Sequence, residues 1–395
     1  MRFENTVLQV IPALDAGGAE RTTVEIARAI VDAGGRALVA TSGGRLSVDI
    51  EAAGGKVFLM PVDTKNPLTI IANGFRLASL IRREGVDIIH ARSRAPAWSA
   101  LMAARATGIA SAATYHGAYR DGSPLKRFYN SGIARADLVI ANSAFTAAAV
   151  SAAYAVGDRL RLIPRGADLD QFNPEGISPE RLAALRARWG LVENAENLVF
   201  LLPGRLTDWK GHEIAIEAAA RLKGARCTGA PRNFQLIFAG GEQGRGDYAA
   251  SLARWVDELG LQHVIRMVGH CEDMPAAYAL SDVVLAPSTR PEAFGRVAVE
   301  AGAMGRAVIA ADHGGARETI VDGETGFLVE PGSVGALAAM MIRTADLGVD
   351  GRRALGARAR ARIAAQYSTR AMTDATLDAY RDLLSREAQR RGTPQ

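Results

Sequence analysis

The chain has 395 residues, of which 48% are hydrophobic and 23% are charged, and its formal net charge is +5. This length and composition predict a globular protein of about two domains and exclude a collagen-like, low-complexity or largely disordered chain. Its cysteines, Cys227 and Cys271, provide no disulfide framework and favour a reducing compartment, the cytoplasm. The first residues contain no apolar signal core, and no apolar run approaches the ~18 residues that span a bilayer, so we expect neither export nor a transmembrane helix.

The positive charge lies in the N-terminal half of the chain. Residues 1–190 contain 23 Lys and Arg against 17 Asp and Glu, a net +6, whereas residues 191–395 contain 24 against 25, a net −1. The excess cations are spread out and not packed into one block, so a solvated face and an anionic partner explain them equally well. That partner would be a membrane surface or an acidic acceptor, and a nucleic acid is not expected.

Apolar runs alternate with helical patterns through the first part of the chain. Strands are predicted over Val7–Ile11, Ala37–Thr41, Val57–Pro61, Val86–His90, Ile109–Tyr115, Leu138–Ala141 and Leu160–Ile163. Helices are predicted over Glu20–Ala33, Asn66–Arg83 and Pro96–Thr107. Most runs are continuously apolar, which is typical of strands buried on both faces. The alternating order predicts an α/β fold with a parallel, doubly wound sheet.

A stretch rich in Pro, Gly, Asn and Asp, Pro164–Gly176, then interrupts the pattern and is the best linker prediction. Strands resume at Leu198–Leu202, Gln235–Ala239, Val264–Val268, Val283–Ala286, Ala307–Ala310 and Phe327–Val329, and the segment Val334–Arg391 is mostly helical. We therefore expect two doubly wound Rossmann-like domains, residues 1–172 and 173–366, which face each other across a ligand-binding cleft and can close by motion at the linker.

Two loops of the second half combine cations and carboxylates. Arg205 and Lys210 follow the run Leu198–Leu202, and Glu292 and Glu300 follow Val283–Ala286. In an open α/β sheet, ligands bind at the edge formed by the carboxyl ends of the strands. Such a set suits a ligand with a diphosphate at its centre and hydroxyl-rich groups at both ends, and a nucleotide-sugar is such a ligand.

The segment after Glu292 predicts several contacts to one ligand. Phe294, Gly295, Arg296 and Val297 are expected to form the first turn of a helix, whose free amides favour an anion. Glu300 then lies deeper, among mostly apolar neighbours, where a carboxylate needs a partner. Each motif alone has an ordinary explanation, such as exposed loop charges or a charged helix surface.

Four weaker signals lie elsewhere. Gly17-Gly18 follows the first strand, where paired glycines allow close approach of a ligand or form an ordinary tight turn. His116 follows a strand and would contact a sugar hydroxyl or be structural, whereas His90 has the same placement with less support. The G-x-G-x-x-A pattern at 244–249 is interpreted as a loop over the nucleotide and not as an NAD site. The D-x-D at 168–170 is interpreted as a turn, and no metal site is predicted.

Taken together, these motifs resemble glycosyltransferase family 4, the retaining glycosyl transferases of group 1 with the GT-B fold. The resemblance covers nearly the whole chain. Its elements are the Gly17-Gly18 turn, Thr114-Tyr115-His116, residues 163–168, Gly204-Arg205 to Lys210-Gly211, Ala239-Gly240-Gly241, Pro287-Ser288 to Glu300, and residues 314–327. Arg165 departs from the family, which usually has Asn before this glycine.

The resemblance implies roles for these residues. Arg205 and Lys210 would hold the donor diphosphate, Glu292 the 3- and 4-hydroxyls of the transferred sugar, and His116 would lie near its 6-hydroxyl; these four are the expected catalytic residues. The residues expected to bind the donor are Gly17, Gly18, Arg205, Lys210, Gly241, Val268, Glu292, Phe294, Gly295, Arg296, Val297 and Glu300.

The resemblance also implies a retaining, metal-independent hexosyltransferase whose co-substrate is a nucleotide-diphosphate-sugar and which needs no other cofactor. Residues 1–172 would bind the acceptor, with a last helix over about 367–389 packing back on them, and residues 173–366 would bind the donor. The acceptor would be an envelope glycan or glycolipid, plausibly a lipopolysaccharide core. The protein would be cytoplasmic or peripheral on the inner face of the cytoplasmic membrane. Alternatives are a nucleotide-sugar epimerase of the same fold and a non-catalytic subunit that binds a nucleotide-sugar or glycan.

Overall fold

The computed structural model describes residues 2–15, 17–117, 123–191, 197–225, 229–231, 233–242 and 244–392. The chain divides into two compact units, one made of Met1–Arg165 with Thr369–Gln395 and the other of Gly166–Ser368. Cys227 lies outside the described residues, and Cys271 is buried as a free thiol. Across the described ranges, no helix is long and apolar enough to cross a membrane.

The first unit is built on a parallel sheet with the strand order β3-β2-β1-β4-β5-β6-β7. Its strands are β1 (Thr6–Val10), β2 (Arg36–Thr41), β3 (Lys56–Leu59), β4 (Ile88–Ala91), β5 (Ala110–Tyr115), β6 (Leu138–Ala141) and β7 (Leu160–Leu162). Its helices are α1 (Gly18–Asp32), α2 (Ser47–Ala52), α3 (Pro67–Glu84), α4 (Arg94–Thr107), α5 (Pro124–Ala134), α6 (Ala144–Ala153) and α15 (Thr369–Gly392). The central strands are buried along their whole length, as the continuous apolar runs predict.

The second unit has a parallel sheet with the order β10-β9-β8-β11-β12-β13. Its strands are β8 (Asn197–Pro203), β9 (Asn233–Ala239), β10 (Ile265–Gly269), β11 (Val283–Ala286), β12 (Ala307–Ala311) and β13 (Phe327–Val329). Its helices are α7 (Pro179–Trp189), α8 (His212–Gly224), α9 (Gly246–Glu258), α10 (Met274–Leu280), α11 (Arg296–Ala303), α12 (Ala316–Thr319), α13 (Val334–Asp346) and α14 (Gly348–Gln366). Two doubly wound parallel sheets confirm the predicted fold class.

The boundary between the units lies at Arg165, earlier than the predicted residue 172. The amide of Ala167 donates to the carbonyl of Tyr367, and Phe172 is buried against Tyr278, so this stretch belongs to the second unit. The composition of the linker indicated a break between domains, but it could not indicate which of the two units these side chains pack against. Asp168 accepts bonds from the amides of residues 170 and 171, which is the geometry of a turn.

Helix α15 returns the chain to the first unit. Met372, Leu377, Tyr380 and Leu383 are buried in the core that β1 and α1 also form. The Tyr380 hydroxyl lies 2.6 Å from Nδ1 of His90, and Nε2 of His90 lies 2.7 Å from the Thr114 hydroxyl. Both nitrogens of this buried histidine are therefore used by the core.

Two helices of the first unit, α2 and α5, are absent from the sequence-based prediction. Helix α5 begins in the usual way, with the Ser123 hydroxyl accepting from the Lys126 amide and Pro124 at the first helical position. Helix α2 has six residues and no side-chain cap, so it offered little periodic signal.

Candidate functional site

The predicted donor-site residues lie on loops that leave neighbouring strands of the second sheet. The loop after β8 contains Arg205 and Lys210, the loop after β9 begins at Gly240, and the loop after β11 contains Glu292. Because β10, β9, β8, β11 and β12 are adjacent and parallel, the loops after them lie side by side at one edge.

Glycines bring these loops into backbone contact. Gly211 has φ of +81°, and a Cβ there would lie 2.1 Å from the carbonyl oxygen of Pro287. Gly314 has φ of +58°, and its Cβ would lie 2.3 Å from the carbonyl oxygen of Glu292. Any side chain at either position would push the loops apart, so these glycines fix where Lys210 and Glu292 stand.

Lys210 and Glu292 form an ion pair at this edge. The Lys210 ammonium donates to Glu292 Oε1 at 2.8 Å, and the Ser288 hydroxyl donates to the same oxygen at 2.5 Å. Burial opposes ionisation of Glu292, but the Lys210 charge, the two hydrogen bonds and the charge of His313 outweigh it and lower the pKa of this carboxyl. Glu292 is therefore a carboxylate at neutral pH.

The loop around these two residues is also tied down locally. The Lys210 ammonium lies 4.6 Å from the centre of the Trp209 ring, and the Trp209 carbonyl accepts the amide of Thr289 at 2.8 Å. Arg205 is exposed on the same loop. The structure thus places both predicted cations on this loop beside the strand edge, where Lys210 is partly buried and Arg205 is exposed.

Glu300 is satisfied within the protein. The Arg296 guanidinium donates to Oε1 at 3.1 and 2.7 Å, and the buried Tyr278 hydroxyl donates to Oε2 at 2.9 Å. Burial and then the charge of Glu300 raise the pKa of Tyr278 well above its usual value. The expectation that this carboxylate needs a partner is met without a ligand.

Helix α11 begins at Arg296, later than the predicted start at Phe294. Gly295 occupies the cap with φ of +77°, which is a left-handed conformation outside the helix. The Phe294 side chain is buried in the core, and Val297 packs partly against that core. The amides of Gly295, Arg296 and Val297 remain at the helix start, where a helix favours an anion.

Gly241 lies in the loop after β9, and Val268 lies near the end of the neighbouring strand β10. The Gly241 carbonyl accepts the Leu206 amide at 3.2 Å, which joins the β8 and β9 loops. The register between β9 and β10 shifts between Met267 and Gly269, so Val268 sits in a bulge. A bulge re-aims the strand end locally.

The glycine turn of the first unit caps α1. Gly17 has φ of −76°, which any residue adopts, and its amide donates to Glu20 Oε2 at 2.7 Å. Gly18 is the first helical residue. The Gly17 amide is therefore engaged by the Glu20 carboxylate.

His116 follows β5 and contacts Arg165. Arg165 Nη2 donates to His116 Nδ1 at 2.5 Å, so the neutral ring has its proton on Nε2. Burial, followed by the charges of Arg165 and Arg92, lowers the pKa of His116 well below its usual value. The residue that departs from the family pattern thus orients a predicted catalytic residue.

Sequence reasoning missed Ser288, Tyr278 and His313 as site residues. Ser288 lies two residues after the end of β11, a position that could have marked it beside Glu292. Tyr278 bonds to a carboxylate 22 positions away, and no local pattern predicts that contact.

Comparison with known proteins identifies the family of this chain. Residues 16–171 match the model described as Glycosyltransferase Family 4, and residues 185–362 match Glycosyl transferases group 1. A glycosyltransferase structure from Rickettsia africae is 32% identical, covers 96% of this chain and 99% of that chain, and has a TM-score of 0.88. Anabaena HepE, solved in complex with UDP-glucose, is 26% identical, covers 96% of this chain and 99% of its own, and has a TM-score of 0.80.

Curated relatives give a shorter match. D-inositol 3-phosphate glycosyltransferase of Mycobacterium tuberculosis is 36% identical over 241 residues, which are 59% of this chain and 46% of that protein. The match thus spans about half the length of that relative. The family models and the structural similarity over nearly the whole chain together show that it belongs to the group 1 glycosyl transferases of glycosyltransferase family 4 and has their GT-B fold.

Proposed function

We propose that this chain is a retaining hexosyltransferase that moves a sugar from a nucleotide diphosphate to an acceptor without a metal ion. The observation that best supports this is the Lys210–Glu292 ion pair, with Ser288, at the strand edge of the second unit. It sets a carboxylate for sugar hydroxyls directly beside a cation for phosphate.

Each member of the pair has a distinct task in this proposal. Glu292 is ionised and accepts hydrogen bonds from the 3- and 4-hydroxyls of the sugar. Lys210, with Arg205, binds the diphosphate, which gains negative charge as the glycosidic bond breaks. Fixed cations stabilise that charge more in the transition state than in the ground state, so they accelerate the reaction.

Retention and metal independence are parts of the same proposal. With two cations at the diphosphate, no divalent ion is required to neutralise it. The acceptor would attack the anomeric carbon on the same face from which the leaving group departs. The leaving phosphate would take the acceptor's proton. His116, in the first unit, would contact the sugar near its 6-hydroxyl. The anomeric configuration of the product, read by NMR, tests retention.

The donor is proposed to be a UDP-sugar, because Anabaena HepE was solved in complex with UDP-glucose. Gly17, Gly18, Gly241, Val268, Glu300 and the amides of residues 294–297 would complete the donor site. The acceptor is proposed to be an envelope glycan or glycolipid, such as a lipopolysaccharide core. No cofactor besides the donor is proposed.

A ligand screen followed by product analysis tests the proposal. Melting temperatures with UDP, GDP, ADP and their sugar conjugates should rise for one base only, and EDTA should leave the rise unchanged. With the selected donor, a sugar should move to an acceptor glycan, and no epimerised donor should appear without acceptor. Loss of the thermal shift with EDTA would contradict metal independence, and an epimerised donor would favour the isomerase.

We also propose peripheral contact with an anionic membrane. Leu68, Ile71 and Phe75 lie at helical spacing on α3, and Leu68 and Phe75 are 77% and 70% exposed. Lys65 and Arg76 are exposed beside them. An apolar stripe with cations next to it suits the inner face of the cytoplasmic membrane.

Vesicle co-sedimentation tests the membrane contact. A Leu68→Ser/Phe75→Ser double variant should bind phosphatidylglycerol vesicles more weakly than the wild type. Val349→Ser, which removes an exposed apolar side chain from α14 in the second unit, is the control and should not change binding. Equal binding by the double variant would refute this contact surface.

A further inference from the structure

A polar pocket lies within the first unit and includes His116 in its lining. Its lining includes Arg92 after β4, Thr114 and His116 at the end of β5, Asn142 after β6, and Arg165 after β7. Helix α15 adds Thr376 on another side. The pocket therefore collects polar groups from the carboxyl ends of four adjacent strands, the edge where parallel sheets bind ligands.

Two of these side chains are buried with polar atoms that have no hydrogen-bond partner. Arg92 and Asn142 are each 2% exposed. Within the described part of the chain, Arg92 Nε and Nη2 and both amide atoms of Asn142 have no hydrogen-bond partner. Buried polar groups are normally paired, and leaving a guanidinium unpaired is especially unfavourable, so these atoms indicate a missing ligand.

The pocket is also positively charged. None of the described residues that line it is acidic. Glu25 on α1 and Tyr380 interact electrostatically with Arg92, but neither lines the pocket. His116 contributes a donor, because its Nδ1 already accepts from Arg165 and the neutral ring has its proton on Nε2. The lining thus offers mainly hydrogen-bond donors.

The size of the pocket limits what enters it. Its volume of about 20 Å³ accommodates roughly one water-sized group. A bound water would satisfy Asn142 but would leave Arg92 without an anion in hydrogen-bond contact. An anionic oxygen fits the same space, bonds to the donors and balances the charge.

We propose that this pocket is an anion subsite that binds a carboxylate or phosphate group of a substrate, held by Arg92 and Asn142 with Arg165 and His116 beside it. The substrate class rests on the proposed glycosyl transfer: either the acceptor bears the anionic group, or the transferred sugar is a uronic acid. Binding of the anion itself does not depend on transfer.

Inorganic phosphate and D-glucuronate are the probes for the first experiment. Each is titrated into the full chain by calorimetry and by thermal unfolding. Wild-type protein and the Lys210→Ala variant should bind phosphate and gain melting temperature, because Lys210 lies in the other unit. Arg92→Gln and Asn142→Ala should each weaken binding about tenfold or more, as expected for a hydrogen bond to a charged group.

Stability without anion separates a binding role from a structural one. Arg92→Gln should raise the melting temperature in anion-free buffer, because it removes a buried charge whose Nε and Nη2 atoms have no hydrogen-bond partner. Arg159→Gln is the matched control and should lower it, because that guanidinium donates to the carbonyls of residues 134, 136 and 155. Asn142→Ala provides the binding test if Arg92→Gln does not fold.

Three results of the phosphate and glucuronate titrations overturn the proposal. One is the absence of any effect of both probes on the wild type. Another is full phosphate binding by Arg92→Gln or Asn142→Ala. The third is loss of phosphate binding in Lys210→Ala alone, which assigns the anion to the diphosphate site. UDP binding that depends on Lys210, without an anion effect, rejects this inference and leaves the proposed function intact.

Donor binding identifies the source of the anion. If only UDP-glucuronate, and not UDP-glucose, binds Arg92→Gln more weakly, the transferred sugar bears the anionic group. If neither changes while phosphate binding still depends on Arg92, the acceptor bears it. An equal loss for both donors means that Arg92 affects donor binding in general, and it rejects the subsite.

Discussion

The charged side chains at the carboxyl edges of the two sheets differ in whether they have hydrogen-bonded partners of opposite charge. In the second unit, Glu292 is paired with Lys210, and Glu300 is paired with Arg296 and Tyr278. In the first unit, Arg92 is buried among lining residues that include no acid within the described chain. The charges of the second unit are paired without a ligand, whereas Arg92 in the first unit has no acidic side chain beside it in the pocket lining.

This contrast shows how buried charge can be used in two ways. Paired charges hold their side chains in a fixed geometry. The side chains at the sheet edge of the second unit therefore need little rearrangement for the proposed reaction. A buried cation without a hydrogen-bonded anion lowers the free energy of unfolding. An anion that binds there removes this penalty, and the free energy recovered adds to its affinity. The predictions below test each side, from the largest expected effect to the smallest.

Removing the paired charges should abolish most of the turnover. Glu292→Gln, Lys210→Ala and Arg205→Ala should each reduce the transfer rate by roughly ten- to a thousand-fold, because each removes a contact to charge that develops in the transition state. Initial rates with the donor found by the screen measure this, and circular dichroism checks the fold. Near-native rates in all three variants would falsify the proposed site.

The second unit should lose stability in acid through a buried histidine. His212 is buried against Phe238, and burial, followed by the Lys210 charge, lowers its pKa to about 4. The unfolded chain takes up the proton near pH 6.5, so stability is complete above that pH and falls by up to about 3 kcal/mol as the pH decreases towards 4.

The variant His212→Leu tests that loss. Thermal unfolding from pH 7.5 to 4 should depend less on pH in His212→Leu than in the wild type. The exposed His263 provides the control, and His263→Gln should keep the wild-type dependence. An unchanged pH dependence in His212→Leu would assign the acid sensitivity elsewhere, for example to His90, whose pKa burial also lowers.

Removal of a buried tyrosine hydroxyl in each unit allows a direct comparison of the loss in the free energy of unfolding. Tyr278→Phe leaves the Glu300 carboxylate without one bond, whereas Tyr380→Phe removes a bond to the neutral His90. Bonds to charged groups contribute about 1.5–3 kcal/mol and neutral ones about 0.5–1.5, so Tyr278→Phe should cost more of the free energy of unfolding. Chemical denaturation measures both, and the reverse order would show that the Glu300 cluster is weakly held.

An exposed ion pair near the site should matter least. Arg290 Nη2 lies 2.6 Å from Asp208 Oδ2, and the two side chains are 61% and 64% exposed. Arg290→Ala should change the free energy of unfolding by less than about 0.5 kcal/mol, because solvent screens such pairs. A loss as large as that of Tyr278→Phe would mean that the exposure of an ion pair at this edge does not predict its contribution to the free energy of unfolding.

Sequence patterns predicted the strands and the loops that follow them. The bounds of β6, β11 and β13 agree with the prediction residue for residue. Strand ends predicted that Lys210 and Glu292 would lie near each other, because parallel strands bring their carboxyl ends to one edge. These features depend on local apolar runs, which the sequence displays directly.

Contacts between distant segments could not be predicted in this way. The pairing of Arg165 with His116, of Tyr278 with Glu300 and of Tyr380 with His90 joins residues far apart in sequence. The unit boundary was wrong for the same reason, because the packing of Phe172 depends on Tyr278. Periodicity reports which side chains are buried but not which partners they meet.

The return of α15 to the first unit has a consequence during translation. Tyr380 and Leu383 complete a core whose other strands and helices are synthesised before residue 166. At ~5–20 residues per second, the ribosome needs roughly 10–40 s to make the intervening second unit. The nascent first unit therefore waits with an uncovered apolar surface, and the part of the protein that is begun first is finished last.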